Sequence, residues 1–225
     1  MGLILNIDTA VNTASVCLAK DGEALAFLEN DQQQNHAEWL HGAIKNIFEM
    51  AGLVLESTEA VAVTEGPGSY TGLRISMAAA KGICYALDKP LICLNTLLVM
   101  ADAARNKIAI SPGALLCPMI DARRMEVYTA LFTSGLSAVT ESAAIILDEK
   151  SFNEELSSRQ VYFFGNGSDK FKTIQKKENA FFEMVNANAV SMIKLSEKKF
   201  AAKEFADLAY AEPQYLKEFF TTAKK

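Results

Sequence analysis

Apolar positions along the chain change their spacing in a set order, and that order predicts the elements. Residues 3–7, "LILNI", form the short continuous apolar run of a buried strand. Residues 13–19, "TASVCLA", alternate and are β-branched, and residues 23–28 complete a third strand across Asp21-Gly22, a tight-hairpin pair. The period then lengthens. Leu40, Ala43, Ile44, Ile47, Phe48 and Ala51 share one helical stripe that Gly52 ends, and Asn35 with Glu38 forms a capping box at its start. Residues 60–63 read as a buried strand. A glycine-rich stretch follows, "TEGPGSYTGLRIS", then a helix over about residues 71–87 that stops before Pro90. Residues 91–94 are another strand and "NTLLVMADAARN" another helix. Helices that follow a three-stranded meander predict an α/β fold with a mixed sheet.

Beyond "ISPG", strands are predicted at 115–120, 125–132, 143–147 and 161–164, with short helices at 152–158 and 168–176. A last helix is predicted through "SEKKFAAKEFADLAYA", ending before Pro213. No internal repeat, low-complexity linker or disordered tail is visible. Two subdomains, 1–105 and 106–225, are the most economical partition, with the last helix packing back on the first.

The second helix is apolar nearly all round. Gly72, Ser76 and Ala80 recur every four residues, Leu73, Met77 and Cys84 suit a core, and Ile75, Ala78, Ala79, Gly82, Ile83 and Ala86 cover the rest. Trp39, Ala43 and Met50 add apolar surface to the helix before it. Such a helix is either fully buried or at an interface, and the pattern alone leaves both open. A large charge at Ala79 would test the interface reading.

Composition narrows the chemistry. The chain has 225 residues, half of them hydrophobic, and a net charge of −5. An acidic chain binds nucleic acid poorly by itself, because Lys and Arg dominate phosphate binding. Nothing at the N-terminus reads as a signal peptide, and no apolar run is long enough for a membrane span, so a cytoplasmic protein without membrane contact is expected. The four cysteines are widely spaced and read as buried thiols. The two histidines, His36 and His41, would lie about 140° apart on one helix and cannot share a metal. No metal site is therefore predicted. The glycine turn fits neither a P-loop, since no Lys follows Gly72, nor G-x-G-x-x-G, since position 71 is Thr. Asp8, ending the first strand, is the best lone acid. The residues leave an enzyme class open: a small-molecule kinase or ATPase using Asp8, Thr9 and the Ser69 turn, or a metallopeptidase-like hydrolase.

"LNIDTA", "ASVCL", "NHAEWL", "TEGPGSYTGLRISMAAAKGI", "GNGSDKF" and "AEPQYLK", in that order, resemble the TsaB (YeaZ) family of tRNA threonylcarbamoyladenosine biosynthesis proteins. These are glycoprotease-like, M22-type members of the actin, Hsp70 and sugar-kinase (ASKHA) superfamily. The resemblance implies two ribonuclease H-like, actin-like ATPase subdomains, mixed sheets flanked by helices, the second one reduced. It implies a non-catalytic scaffold that binds and activates a TsaD-type catalytic subunit, which transfers threonylcarbamoyl from its adenylate to the adenosine beside the anticodon. A TsaE-type ATPase, tRNA held through the complex and a homodimer when alone are the other implied partners. No cofactor is expected to bind this chain tightly; ATP or ADP and a metal ion belong to the partner complex. The implied partner and dimer interface lies on the two apolar helices: His36, Trp39, Leu40, Ala43, Ile44 and Ile47, with Gly72, Arg74, Ile75, Ala78, Ala79, Gly82 and Ile83. Asp8, Thr9, Gly68 and Ser69 stand as a vestigial nucleotide loop, because the superfamily's D-x-G-T and D-x-G-x-G glycines are missing.

Overall fold

The computed structural model describes residues 2–31 and 36–217, with His36 and Ala37 described by backbone alone. The capping residue Asn35 and the side chain of His36 thus lie outside the described residues. β1 (Leu3–Asp8), β2 (Ala14–Lys20) and β3 (Glu23–Asn30) form the antiparallel meander. α1 (His36–Ala51) leads to β4 (Ala60–Gly66), and α2 (Tyr70–Leu87) to β5 (Leu91–Asn95). β4 runs parallel to β1 and β5 parallel to β4, so the sheet is mixed, in the order β3-β2-β1-β4-β5. α3 (Thr96–Lys107) carries the chain to a second sheet.

The second half repeats the plan. β6 (Leu115–Asp121), β7 (Glu126–Thr129) and β9 (Ala143–Ile146) pair antiparallel, and a short β8 (Phe132–Thr133) is added to β6. α4 (Asn153–Ser158), β10 (Val161–Phe164), α5 (Ser168–Ile174), β11 (Ala180–Glu183) and α6 (Ile193–Ala202) follow. β10 is parallel to both β6 and β11. Read from its antiparallel edge, this sheet runs β9-β7-β6-β10-β11, the counterpart of the first. The two sheets therefore repeat one plan, as the two subdomains implied by the resemblance require, although no repeat is visible in the sequence. Strand order depends on pairing and burial, which many side-chain sets satisfy, so the plan outlasts visible similarity between the halves.

Five layers result. Leu40, Ile44 and Ile47 of α1 and Met77 and Ala80 of α2 cover one face of the first sheet against Leu5, Ile7, Val61 and Val63. Ile193 of α6, with Leu195 and Phe200, packs on the other face against Ile4, Ala62 and Ile92. Leu97, Met100 and Ala104 of α3 pack on the second sheet against Leu116 and Phe164. Leu156 of α4 and Phe171 of α5 close its far side in a cluster of aromatic rings. The central strands are buried on both faces, which is why they read as continuous apolar runs. Among the described residues no helix is long and apolar enough to cross a membrane.

Two predicted elements differ, and one strand was not predicted. The last helix ends at Ala202, not near 211, because Lys203 takes a left-handed conformation (φ 56) and Ala206 then bridges to Leu91 of the edge strand β5. The strand predicted at 125–132 is broken after Thr129; the Leu131 N–H donates to Thr140 Oγ1 and leaves the ladder. β11 was not predicted, since "AFFE" is four half-buried residues at an edge.

Candidate functional site: an interlobe cleft and an exposed helix face

The vestigial nucleotide residues come together, but as a packing joint. Asp8 is 1% exposed, and its Oδ1 accepts from the Ala10 N–H (3.0 Å) and the Thr64 hydroxyl (2.8 Å). Burial pushes its pKa above the ordinary carboxylate value, against the opposing effect of those two bonds. Thr9 Oγ1 donates to the Gly72 carbonyl at 2.7 Å. A Cβ on Gly68 would overlap the Ala10 carbonyl, and one on Gly72 the Thr9 carbonyl. The glycines are thus required by the close approach of β1 and α2. The Ser69 N–H is spent on the Ala10 carbonyl (2.7 Å) and the Gly72 N–H on the Ser69 side chain (3.2 Å), which caps α2. A phosphate cradle needs open N–H groups and an accessible acid for its metal, and these residues do not fit one.

A cleft of about 700 Å³ lies beside this joint, between the two sheets. Ala10, Val11 and Asn12 and the turn at 67–71 line one side; Asp121, Arg123, Tyr128 and Asn166 line the other. Asp121 is exposed, unlike Asp8. Partial burial raises its pKa, but the Lys170 ammonium at 2.6 Å and the Arg123 N–H outweigh this and hold it below the ordinary value. Asn166 Oδ1 accepts from the Asp121 N–H at 2.9 Å. The tail beyond α6 straps the cleft. Ala206 donates to Leu91 (2.8 Å), Lys81 reaches the carbonyls of Ala209 and Ala211, and the Gln214 N–H donates to Glu65 (2.7 Å). Tyr215 then packs against Tyr70, the rings tilted at 34° with centroids 5.0 Å apart, and Lys217 pairs with Glu126 of β7. Sequence reasoning missed Asp121, Arg123, Asn166 and Tyr215. The shared G-x-G-S spacing of residues 66–69 and 165–168 was the signal available.

The predicted interface residues divide by burial. Leu40, Ala43, Ile44, Ile47, Gly72 and Ala79 are buried within this chain, in or beside the core under α1 and α2, and so present no surface to a partner. Ala79 is the correction that matters most: it is 8% exposed and packs in the core, while its neighbour Ala78 faces out. Trp39, Ile75 and Ile83 are half-buried at the edge of the core, and Arg74, Ala78 and Gly82 are exposed. Met50 of α1, 62% exposed, and Tyr85 of α2, 83% exposed, are the large apolar side chains these helices leave open. Arg74 lies over the Tyr70 ring at 4.7 Å. Among the described residues, no three His, Cys, Asp or Glu side chains are grouped to hold a metal ion.

Residues 29–224 match the family described as TsaD: tRNA N6-adenosine threonylcarbamoyltransferase. The chain is 29% identical to the tRNA threonylcarbamoyladenosine biosynthesis protein TsaB of Escherichia coli, over 95% of this chain and 94% of that protein. It is 31% identical to the TsaB of Buchnera aphidicola subsp. Baizongia pistaciae, over 77% of this chain and 80% of that one. Its fold is like that of YeaZ from Pseudomonas aeruginosa, with a TM-score of 0.82 at 23% identity over 96% of this chain and all of that one. Two mixed sheets flanked by helices make up that shared α/β fold.

Proposed function

The chain belongs to the TsaB (YeaZ) family, and from that membership we propose that it is a non-catalytic subunit in the formation of N6-threonylcarbamoyladenosine on tRNA, binding and activating a TsaD-type catalytic subunit. The observation that carries the reading is the outer face of α1 and α2. Ala78 and Gly82 lie open on α2, with Ile75 and Ile83 half-open, Tyr85 exposed on the same helix and Met50 exposed on α1. Small residues flanked by large apolar ones let another helix pair approach closely, and an apolar face of this kind marks an interaction site. The same face would hold a second copy when the catalytic subunit is absent, as a two-fold dimer. A TsaE-type ATPase and tRNA would join through the complex in the cytoplasm. Nucleotide and metal would be held by the other subunits, in keeping with the closed joint at Asp8.

Size exclusion of the chain mixed with its TsaD-type subunit tests this at micromolar concentration. Co-elution that Ala78→Arg abolishes, with the thermal unfolding of the free chain unchanged, is the expected result. Separate elution of the wild-type proteins would sink the proposal.

A further inference from the structure

The hairpin between β6 and β7 carries two acids and two arginines. Asp121 is taken by Lys170 of α5, and Glu126 by Lys217 of the tail. The arginines at the tip, Arg123 and Arg124, are exposed, and their side chains have no ion pair or hydrogen bond among the described residues. Both also sit at positive φ, 71° and 47°, where Gly or Asn is the ordinary occupant. The fold gains no ion pair or hydrogen bond from these side chains, and it bears their backbone strain; strained positions of this kind concentrate at functional sites. In a chain of net charge −5 they are not part of a general basic surface.

Tyr70 and Tyr215 line the same cleft as Arg123, their rings tilted at 34° with centroids 5.0 Å apart, and Tyr215 is 43% exposed; Arg74 lies over the Tyr70 ring. Aromatic faces that take a base, next to cations that take the backbone, are the elements of single-strand recognition.

We infer that the rim of the interlobe cleft is a contact site for a single-stranded stretch of RNA, seated between the Tyr70–Tyr215 ring pair and the Arg123–Arg124 turn. This rests on the reading of the chain as a tRNA-modification subunit. A free nucleoside triphosphate is the poorer fit, because the Ser69 and Gly72 N–H groups that would cradle its phosphates are already bonded. The exposed tip of the hairpin suits a strand that continues beyond the cleft.

The test is anisotropy with a short fluorescein-labelled single-stranded RNA, on the chain alone and on its complex with the TsaD-type subunit. Arg123→Gly/Arg124→Gly should weaken binding about tenfold and lower the salt slope by about 1.4, the share of two phosphate contacts on a single strand. The same variant should melt no lower than wild type, since glycine relieves the positive φ. Arg123→Lys/Arg124→Lys should keep the salt slope, and Tyr215→Ala should cost about tenfold in affinity. Unchanged RNA affinity in the glycine variant overturns the inference. So does a melting temperature that falls together with affinity, which would make the turn structural. Binding of ADP or an acidic peptide through these arginines, with the RNA ignored, overturns it as well. Loss of wild-type co-elution with the TsaD-type subunit would count against the parent reading instead.

Discussion

The two halves of the molecule carry the same turn in the same place and use it differently. Gly66-Pro67-Gly68-Ser69 follows β4 and opens α2; Gly165-Asn166-Gly167-Ser168 follows β10 and opens α5. Both leading glycines have positive φ, 121° and 94°. Each half also ends its first strand in an acid, Asp8 or Asp121. Yet Asp8 is sealed under α2, and Asp121 lies open beside Lys170. The helices diverge as well: α1 and α2 have 16 and 18 residues, α4 and α5 only 6 and 7. The first half has a closed acid and long helices with an apolar outer face. The second has an open acid and short covering helices. An acid's place in the fold does not set its chemistry; what packs over it does.

The sharpest way to break this contrast is at Gly72, whose counterpart three residues after Ser168 is the buried Phe171. Gly72→Val should cost more than about 4 kcal/mol, because the side chain meets the Thr9 backbone and not a movable group. Urea unfolding checks this; a soluble variant of near wild-type midpoint would show that the joint can open. Next is the pair on α2. Ala79→Arg buries an unpaired charge and should cost about 3–5 kcal/mol. Ala78→Arg should stay within about 0.5 kcal/mol of wild type while losing the partner complex and the homodimer together, read by sedimentation. Loss of only one assembly would mean that they use different faces.

The two acids should respond to pH with opposite sign. Asp8 has its folded pKa raised, so its ionisation disfavours the folded state, and stability falls as pH rises from the ordinary carboxylate value through the folded one. Asp121 has its folded pKa lowered, so its contribution is present above the ordinary value and is lost as pH falls through the folded one. In thermal melts across the acid range, Asp8→Asn should therefore gain relative to wild type as pH rises, and Asp121→Asn should lose. Parallel shifts would show that the acids share one environment. The smallest effect is at the cysteines. Burial pushes Cys17, Cys93 and Cys117 up to about 12 and Cys84 to about 11. A disulfide reagent at mildly alkaline pH should leave the folded chain unmodified and label it only on unfolding.

Most of the first half was legible because its elements announce their own ends: Asp21-Gly22 at the hairpin, Gly52 after α1, Pro90 after α2. What the sequence could not supply was the phase of α2. A helix apolar on every side has no polar face to mark the outside, so Ala78 and Ala79 are equivalent in pattern and opposite in burial. The tail failed for another reason. "KKFAAKEFADLAYA" has good helical spacing, but pairing with the open edge of β5 is a tertiary gain that local pattern does not register. The cleft was hidden because its walls lie far apart in the chain. Asp121, Arg123, Asn166 and Tyr215 become neighbours only once the duplicated plan has folded.

Two bodies joined at a pair of points keep one axis about which they can swing, and a third attachment away from that axis removes it. The chain passes from the first sheet to the second after α3, returns after β11, and reaches over once more when Gln214 binds Glu65 and Lys217 binds Glu126. The last crossing lies across the mouth of the cleft, where opening would have to occur. Any swing of the two halves about that axis would have to break the Gln214–Glu65 and Lys217–Glu126 contacts first.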